Sequence, residues 1–306
     1  MLYRRLSNIF ARTIVSFQVM GLGTSTSSSA ANPWWTGAPT KLVNKSTLVP
    51  GKAVTEALEP GSTLHLPVYT LTFEIPDDDS SIFTGKAKRH DTLRIDLGDI
   101  VKMVIPGYKP KSYSVSALRK DQNEFDITIK IYPNGRASGY LDRLVIGDTI
   151  RSFGLQKGKV RQTPGSCQTP FVVGLIAYGV GITEAWPIAK AELEKHGEAD
   201  KVVLLWASRT KMDTFWNDEM EDYQKRYPDT FQLVHIFSRE NVPGCLHGRI
   251  DSGVLANVFK RDGANKNEGL RFLSVGTKRM MKLTDEMLEE IGFPMPRYAL
   301  LASKPS

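Results

Sequence analysis

Short runs in which apolar and polar residues alternate fill the chain from Leu64 onward. They cover residues 66–75, 92–95, 100–105, 112–116 and 125–132, and Asp, Gly, Pro and Asn separate them. A period of two with frequent turn residues is typical of antiparallel strands. We therefore predict an antiparallel β-barrel over residues 63–162.

The pattern changes after residue 163. Continuous apolar runs at 171–176, 202–207, 231–237 and 270–275 alternate with helix-like stretches at 184–196, 215–226 and 278–291. Strands that alternate with helices predict a doubly wound, mostly parallel sheet. The predicted fold class is thus a two-domain β plus α/β protein, with the α/β domain at residues 163–306.

The first 30 residues have the composition of an organelle transit peptide. They carry arginines and no acid, become Ser-rich near their end, and place Leu2, Leu6, Phe10 and Ile14 at helical spacing. We expect mitochondrial import, with a plastid as the alternative, and a disordered tail as the plainer explanation. Residues 31–62 are rich in Pro and include Trp34 and Trp35. That composition predicts an extended arm over the folded body.

Length, charge and hydropathy restrict the number of domains and the class of protein. The chain has 306 residues, which suits two domains. Its net charge is +7, but six of its basic residues precede Glu56, the first acid, so the rest carries only +1. A near-neutral body gives no electrostatic case for nucleic-acid binding. No apolar run reaches the roughly 18 residues of a membrane-spanning helix.

Metal chemistry is not expected. Cys167 and Cys245 are the two cysteines, and the five histidines are scattered without ligand spacing. Two inert thiols are the favoured interpretation.

Glycines follow the first strand of the predicted parallel sheet. The turn contains Gly179, Val180, Gly181, Ile182 and Thr183. At the carboxyl end of a strand, such a turn lets backbone amides approach a diphosphate at a helix N-terminus. The turn lacks the third glycine of the usual fingerprint, so a purely structural role stays open.

The predicted barrel carries two further candidate segments. In Lys111-Ser112-Tyr113-Ser114, alternation directs Lys111 and Tyr113 to one side and the serines to the other. A cation beside an aromatic ring suits a ring cofactor with a phosphate tail. After the strand at 125–132 comes Gly135-Arg136-Ala137-Ser138, where we expect Ser138 to cap a short helix and free amides to face phosphate.

Taken in order, these segments resemble the ferredoxin-NADP reductase superfamily, and most closely its cytochrome b5 reductase branch, over about residues 64–294. The flavin motif R-x-Y-S/T is matched from Lys111 to Ser114, and G-x-x-S by Gly135 and Ser138. The nicotinamide motif G-x-G-I-T-P is matched from Gly179 to Thr183.

The resemblance implies bound FAD and NAD(P)H, with electrons passing from the nicotinamide through the flavin to an unidentified acceptor. It places Tyr113 on the flavin ring and Ser114 near flavin N5, as the catalytic positions. Lys111 with the amides around Ala137 and Ser138 would hold the diphosphate. The complete set of expected cofactor-binding residues is Lys111, Ser112, Tyr113, Ser114, Tyr132, Gly135, Arg136, Ala137, Ser138, Gly179, Val180, Gly181, Ile182, Thr183, Ser208, Arg209 and Gly276.

The nucleotide preference should be set after the second parallel strand, at Ser208-Arg209-Thr210-Lys211. A serine and two cations there could take a 2′-phosphate, which favours NADPH over NADH. An arginine at this place can equally stack on adenine, so both nucleotides stay open.

Four departures from the family pattern motivate a second hypothesis. Lys111 replaces Arg, Glu184 replaces the Pro of the nicotinamide motif, Val275-Gly276-Thr277 replaces C-G-P, and the chain continues to Ser306 beyond the family's terminal aromatic residue. In this alternative the protein has lost hydride transfer. It would then persist as a structural or assembly subunit of a mitochondrial complex that still holds FAD.

Overall fold

The computed structural model describes residues 39–51, 66–75, 99–150, 153–156, 172–194, 199–259 and 270–293. All of them belong to the compact unit Pro33–Ser306. The predicted transit peptide, the Trp34-Trp35 pair, the predicted strand at 92–95 and the C-terminal tail lie outside these residues.

Seven antiparallel strands build the first half of the fold, in the order β6-β1-β2-β5-β4-β3-β7. They are β1 (Thr40–Val49), β2 (Val68–Glu74), β3 (Ile100–Met103), β4 (Lys111–Arg119), β5 (Glu124–Lys130), β6 (Thr149–Ile150) and β7 (Phe153–Gln156). Their inward side chains form one apolar cluster, which includes Leu71, Phe73, Val101 and Phe125. The short helix α1 (Arg136–Arg143) contributes Leu141 to the same core. This confirms the predicted antiparallel half of the fold.

Strand β1 differs from the sequence prediction, which assigned residues 31–62 to an extended arm. β1 pairs with β2 and β6, and its Leu42 is fully buried in the barrel core. Pro39 and Pro50 suggested irregular chain, but they flank the strand and leave its hydrogen bonding intact. The barrel therefore includes a strand well before residue 63.

Five parallel strands form the second half, in the order β11-β10-β9-β8-β12. They are β8 (Val172–Tyr178), β9 (Lys201–Ser208), β10 (Phe231–Phe237), β11 (Leu246–His247) and β12 (Leu270–Val275). β8 is buried along nearly its whole length, as expected for a central parallel strand covered on both faces. β10 and β12 have the predicted bounds, whereas β11 was not predicted.

Helices cover both faces of the parallel sheet. They are α2 (Ile182–Glu194), α3 (Asn217–Arg226), α4 (Ser252–Phe259) and α5 (Lys278–Glu290). Trp186 of α2 and Met220 of α3 lie in the core on one face, and Leu255 of α4 and Leu288 of α5 lie in the core on the other. The predicted doubly wound arrangement is confirmed, although α4 was not expected from the sequence.

The two halves are packed together along part of their length. Val49 of β1 and Val68 of β2 belong to the same buried cluster as Leu175 and Trp206 of the parallel sheet. This contact brings β4 and α2 side by side, so the predicted flavin strand lies next to the helix that follows the glycine turn.

Candidate functional site

Strand β4 carries the four residues of the first predicted motif. Ser112 is exposed, while Lys111, Tyr113 and Ser114 are partly buried. Tyr113 packs against the barrel core, and its burial raises the pKa of the phenol to about 12. The ring is therefore a neutral phenol at physiological pH, partly covered by protein and partly accessible.

An aromatic ring that the sequence analysis missed lies beside this strand. Tyr108 has the Lys111 Nζ 5.3 Å from its ring centroid and the Arg136 guanidinium 5.8 Å away. Neither cation forms an ion pair with any residue that the structure describes. Two cations beside one ring, with no acidic partner among the described residues, concentrate positive charge that suits an anion such as phosphate.

A cavity of about 520 Å³ opens next to these cations. Its lining includes Tyr108, Tyr132, Gly135 and Arg136. The volume falls within the usual range of small-molecule sites, roughly 300–1,000 Å³. Tyr132, Gly135 and Arg136 were predicted cofactor residues, whereas the β4 residues do not line this cavity.

The N-terminus of α1 differs in detail from the prediction. The helix begins at Arg136, so Gly135 is its N-cap, and Ser138 lies inside the first turn. The Ser138 hydroxyl accepts a hydrogen bond from the Tyr132 amide at 3.2 Å and donates to the Gly135 carbonyl at 3.4 Å. Ser138 therefore fastens the loop between β5 and α1, and the expectation that it caps the helix was wrong. The first-turn amides have no partner within the helix and remain suited to an anion.

The two glycines of the nucleotide turn are required for different reasons. Gly179 has a φ of +54° and no atom within 4 Å of a would-be Cβ, so its surface is open to a ligand. A Cβ on Gly181 would lie 2.3 Å from the Val275 carbonyl oxygen. Gly181 therefore permits close packing of the turn on β12, and only Gly179 presents an open backbone.

Trp206 of β9 holds the turn in place. Its indole Nε1 donates a hydrogen bond of 2.9 Å to the Gly179 carbonyl. Thr183, at the start of α2, donates from its hydroxyl to the Val180 carbonyl at 2.8 Å. These two hydrogen bonds fix the shape of the turn that was predicted to bind a diphosphate. Trp206 was not predicted, because an indole inside an apolar strand gives no sequence signal of a polar role.

The end of β9 has an ion-pair cluster that the sequence did not indicate. Asp213 is almost fully buried and accepts hydrogen bonds from Lys130 Nζ at 2.6 Å and from Arg209 Nη2 at 2.9 Å. Burial alone would raise the pKa of Asp213, but the hydrogen bonds from Arg209 and Lys130 outweigh it and lower the pKa. Lys130 belongs to β5 and Asp213 to the α/β half, so this cluster joins the two halves.

Ser208, the neighbour of Arg209, has a buried hydroxyl with no hydrogen-bond partner within the described part of the chain. Such orphaned hydroxyls are uncommon in folded proteins. Ser208 is the last residue of β9, at the carboxyl end of the parallel sheet, where ligands of doubly wound folds bind.

Gly276 follows β12 and lies against the ring of Tyr178, whose atoms come within 3.0 Å of a would-be Cβ. Tyr178 in turn shares a hydrogen bond of 2.7 Å with Thr284 of α5. The absence of a side chain at Gly276 therefore lets the Tyr178 ring pack closely on the side of the nucleotide turn that faces β12.

A direct hydrogen bond connects the two predicted sites. Ser114 Oγ of β4 donates to Glu184 Oε2 of α2 at 2.8 Å. Burial raises the pKa of the Glu184 carboxyl, and the bond from Ser114 only partly opposes this. The structure thus brings the predicted flavin-edge residue next to the first turn after Gly179–Gly181. The residues predicted for FAD and for the nicotinamide nucleotide therefore come closest to each other where β4 contacts α2.

Two protein families match the chain in the same order as its two halves. The oxidoreductase FAD-binding domain matches residues 74–160, and the oxidoreductase NAD-binding domain matches residues 175–286. These matches cover all of the segments that carried the sequence resemblance.

Similar proteins include two named NADH-cytochrome b5 reductase 1. The one from Cryptococcus neoformans var. neoformans is 29% identical over 192 residues, which cover 61% of this chain and 64% of that protein. The one from Arabidopsis thaliana is 31% identical over 129 residues, covering 42% of this chain and 44% of that protein. The chain thus spans less than two thirds of the length of these relatives.

Solved structures share the fold. The cytochrome b5 reductase domain of Ulva prolifera nitrate reductase gives a TM-score of 0.62 at 20% identity, covering 84% of this chain and 94% of that one. A ferredoxin NADP+ reductase from Neisseria gonorrhoeae with bound FAD and NADP gives 0.62 at 17% identity, covering 86% and 94%.

Within the described residues, no helix is long and apolar enough to span a bilayer. Cys245 is a free, partly buried thiol, and Cys167 lies outside these residues.

Proposed function

We propose that this chain passes electrons from a reduced nicotinamide nucleotide through FAD to a protein acceptor. Its match to the oxidoreductase FAD-binding and NAD-binding domains and its NADH-cytochrome b5 reductase relatives support the proposal. The hydrogen bond between Ser114 and Glu184 carries it, since this bond joins the predicted flavin strand to the helix that follows the nucleotide turn. Hydride transfer requires that the two cofactor rings meet, and they would meet at this contact.

On the flavin side, Tyr113 would lie against the ring, and Lys111, Arg136 and the first-turn amides of α1 would hold the diphosphate. Tyr108 orients both cations through ring contacts. When bound, FAD supplies the redox chemistry, accepting a hydride and releasing electrons singly or in pairs. The chain's part is to stack, orient and exclude water.

On the nucleotide side, Gly179 would admit the diphosphate, and the segment that follows β9 would face the ribose. Arg209 bears on the choice of nucleotide, because Asp213 engages its Nη2 and Nε atoms at 2.9 and 3.2 Å. That pairing draws positive charge away from a 2′-phosphate. We therefore propose NADH as the better donor, against the preference for NADPH inferred from sequence. A ratio of kcat/KM for NADH to NADPH below one would overturn this.

The acceptor that we propose is a haem protein of the cytochrome b5 type, following the names of the relatives. The test uses flavin-loaded protein with NADH and a panel of acceptors: cytochrome b5, a ferredoxin and a quinone. Fastest turnover with cytochrome b5 supports the proposal. Turnover with the quinone alone would contradict a haem-protein acceptor but would still agree with electron transfer through the flavin.

We also propose mitochondrial import through residues 1–30, on the strength of their Arg-rich, acid-free composition. Those residues lie outside the described part of the chain. A fluorescent fusion of the full chain should enter mitochondria, and a fusion lacking residues 1–30 should not. Plastid import, or import of both fusions, would contradict the proposal.

Glu184 favours a second candidate function. A carboxylate replaces the family's proline beside the predicted nicotinamide site, which would suit a protein that has lost hydride transfer and serves as a subunit of a mitochondrial complex. Purified protein that is yellow, fails to turn over NADH or NADPH with any acceptor, and co-purifies with partner subunits would support this alternative.

A further inference from the structure

Glu184 is a carboxyl group at the boundary between the two halves, where α2 contacts β4, and its one described partner is a hydroxyl. It lies in the first turn of α2 and accepts the 2.8 Å hydrogen bond from Ser114. Among the residues that the structure describes, no Lys, Arg or His forms an ion pair with it. A partly buried carboxylate is costly, and a cation that entered the cleft between β4 and α2 would stabilise it.

The nicotinamide ring changes its charge during the proposed reaction. Reduced nicotinamide is neutral. When a hydride, two electrons with one proton, moves from its C4 atom to flavin N5, the nicotinamide is oxidised to a cation and the flavin is reduced and gains a negative charge. The cation that appears in this cleft is therefore a product of the reaction itself.

The position of Glu184 relative to this ring is inferred from the contact between β4 and α2. In the proposed function the nicotinamide would meet the flavin at this contact, and the hydrogen bond to Ser114 holds the Glu184 carboxyl there. Glu184 would then lie beside the nicotinamide ring. A charge that is partly shielded from solvent acts more strongly on a neighbouring group than it would in water.

We propose that Glu184 is a specificity-determining residue that favours the oxidised, cationic form of the nicotinamide over the reduced, neutral form. The inference rests on the proposed function. The proposal has two consequences. First, the Glu184 carboxylate stabilises the positive charge that develops on the nicotinamide ring as hydride leaves. Second, it slows release of the oxidised nucleotide.

The test compares three ligands on flavin-loaded protein by calorimetric titration at fixed ionic strength and mildly alkaline pH. NAD+ carries the cationic ring. Tetrahydronicotinamide adenine dinucleotide carries a neutral ring and cannot donate a hydride, and ADP-ribose carries the diphosphate without the ring. The expected result is that Glu184→Gln raises the Kd of NAD+ about five- to tenfold and changes the other two Kd values less than about twofold.

Two further variants control the test. Glu221→Gln removes an exposed carboxylate of α3 in the same half of the fold, and all three affinities should be unchanged. Glu184→Asp keeps the charge and should retain part of the preference for NAD+. The Gln side chain has nearly the same shape as Glu, and its amide oxygen can still accept the Ser114 hydrogen bond, so FAD content and circular dichroism should match the wild type.

The remaining outcomes overturn the inference in distinguishable ways. Tighter binding of all three ligands to Glu184→Gln would show that the carboxylate repels the diphosphate. An unchanged ratio of NAD+ to tetrahydro-analogue affinity would show that it does not sense the ring. Wild-type protein that holds FAD but binds none of the three ligands would contradict both the proposed function and this inference.

Discussion

At the scale of single residues, Lys111 is the position at which binding of the cofactor is most directly testable. Replacing Lys111 with Met removes one of two cations beside Tyr108 and should weaken FAD binding by about tenfold or more, since a charge-assisted hydrogen bond contributes about 1.5–3 kcal/mol. Lys111→Arg should bind FAD at least as tightly, because its planar fork can grip two phosphate oxygens.

FAD affinity of the apoprotein can be followed by quenching of flavin fluorescence. Lys109→Met is the matched control, because Lys109 is exposed and lies two residues before Lys111, ahead of β4. Equal loss of affinity in Lys109→Met and Lys111→Met would show that general positive charge, and no specific site, attracts the cofactor.

His235 should make stability depend on pH. Burial lowers the pKa of its imidazole from 6.5 to about 4, with a smaller contribution from the Lys211 charge, and its Nδ1 has no hydrogen-bond partner among the described residues. The unfolded chain therefore binds the proton more readily than the folded one. Stability should fall as the pH drops from about 6.5 to about 4, by about 1–2 kcal/mol after allowance for partial exposure.

His235→Phe removes this titrating group while it keeps a ring beside Trp206 and Phe237. Urea unfolding across this pH range should show a flatter profile for the variant than for the wild type. His247→Gln, at an exposed position, should leave the wild-type slope unchanged. A variant profile as steep as that of the wild type would assign the acid sensitivity to other groups.

Some site residues could be found from the sequence and others could not. Tyr113 and Gly179 were identifiable because their spacing within short motifs is local information. The Ser114–Glu184 hydrogen bond joins residues 70 positions apart, and no local pattern reports such a pairing. Ser138 was assigned the wrong role, because a serine that caps a helix and one that bonds back from its first turn look alike in a sequence.

At the scale of elements, β1 shows where composition misled. Prolines at its two ends predicted irregular chain, while buried Thr40 and Leu42 on either side of exposed Lys41 show the alternation of a strand. The long apolar runs of β8 and β9 were recognised because a fully buried parallel strand is hydrophobic throughout. α4 has eight residues and was missed because so short a helix repeats its apolar period barely twice.

Truncation of Leu42 tests the position of β1. Leu42 is fully buried in the barrel core, so Leu42→Ala should reduce the free energy of unfolding by about 3 kcal/mol. Thr47→Ala, at an exposed position of the same strand, should cost less than about 1 kcal/mol. Small, equal effects in both variants would indicate that this segment is a loosely attached arm.

The contact between β5 and the turn after β9 depends on Asp213. Asp213→Asn leaves the charges of Lys130 and Arg209 without their carboxylate and should destabilise the protein by about 3 kcal/mol at neutral pH. Because the pKa of Asp213 is lowered in the fold, its contribution is present above the unfolded value of 3.8 and is lost as the pH falls through the folded value.

Chemical unfolding measured at neutral and at acid pH checks this prediction, with Asp218→Asn on α3 as the control. The difference between Asp213→Asn and the wild type should shrink at acid pH. A difference that stays constant with pH would mean that the amide disturbs packing and that the ion pairs contribute little.

At the scale of the whole molecule, the order of the two halves defines what the chain can do. The antiparallel half holds the two cations beside Tyr108, and the doubly wound half holds the open turn at Gly179. The shared apolar cluster and the Lys130–Asp213 pair hold the two halves together, so the distance between the sites is fixed by packing. That fixed distance is what hydride transfer between two cofactors requires.

Anaerobic stopped-flow mixing of the flavin-loaded protein with NADH shows whether the nucleotide reduces the flavin. The flavin absorbance should bleach at the same rate as NADH is oxidised, and deuterium at the transferred C4 position should slow both processes. Loss of NADH without bleaching, or a yellow protein that NADH and NADPH leave oxidised, would rule out hydride transfer to the flavin.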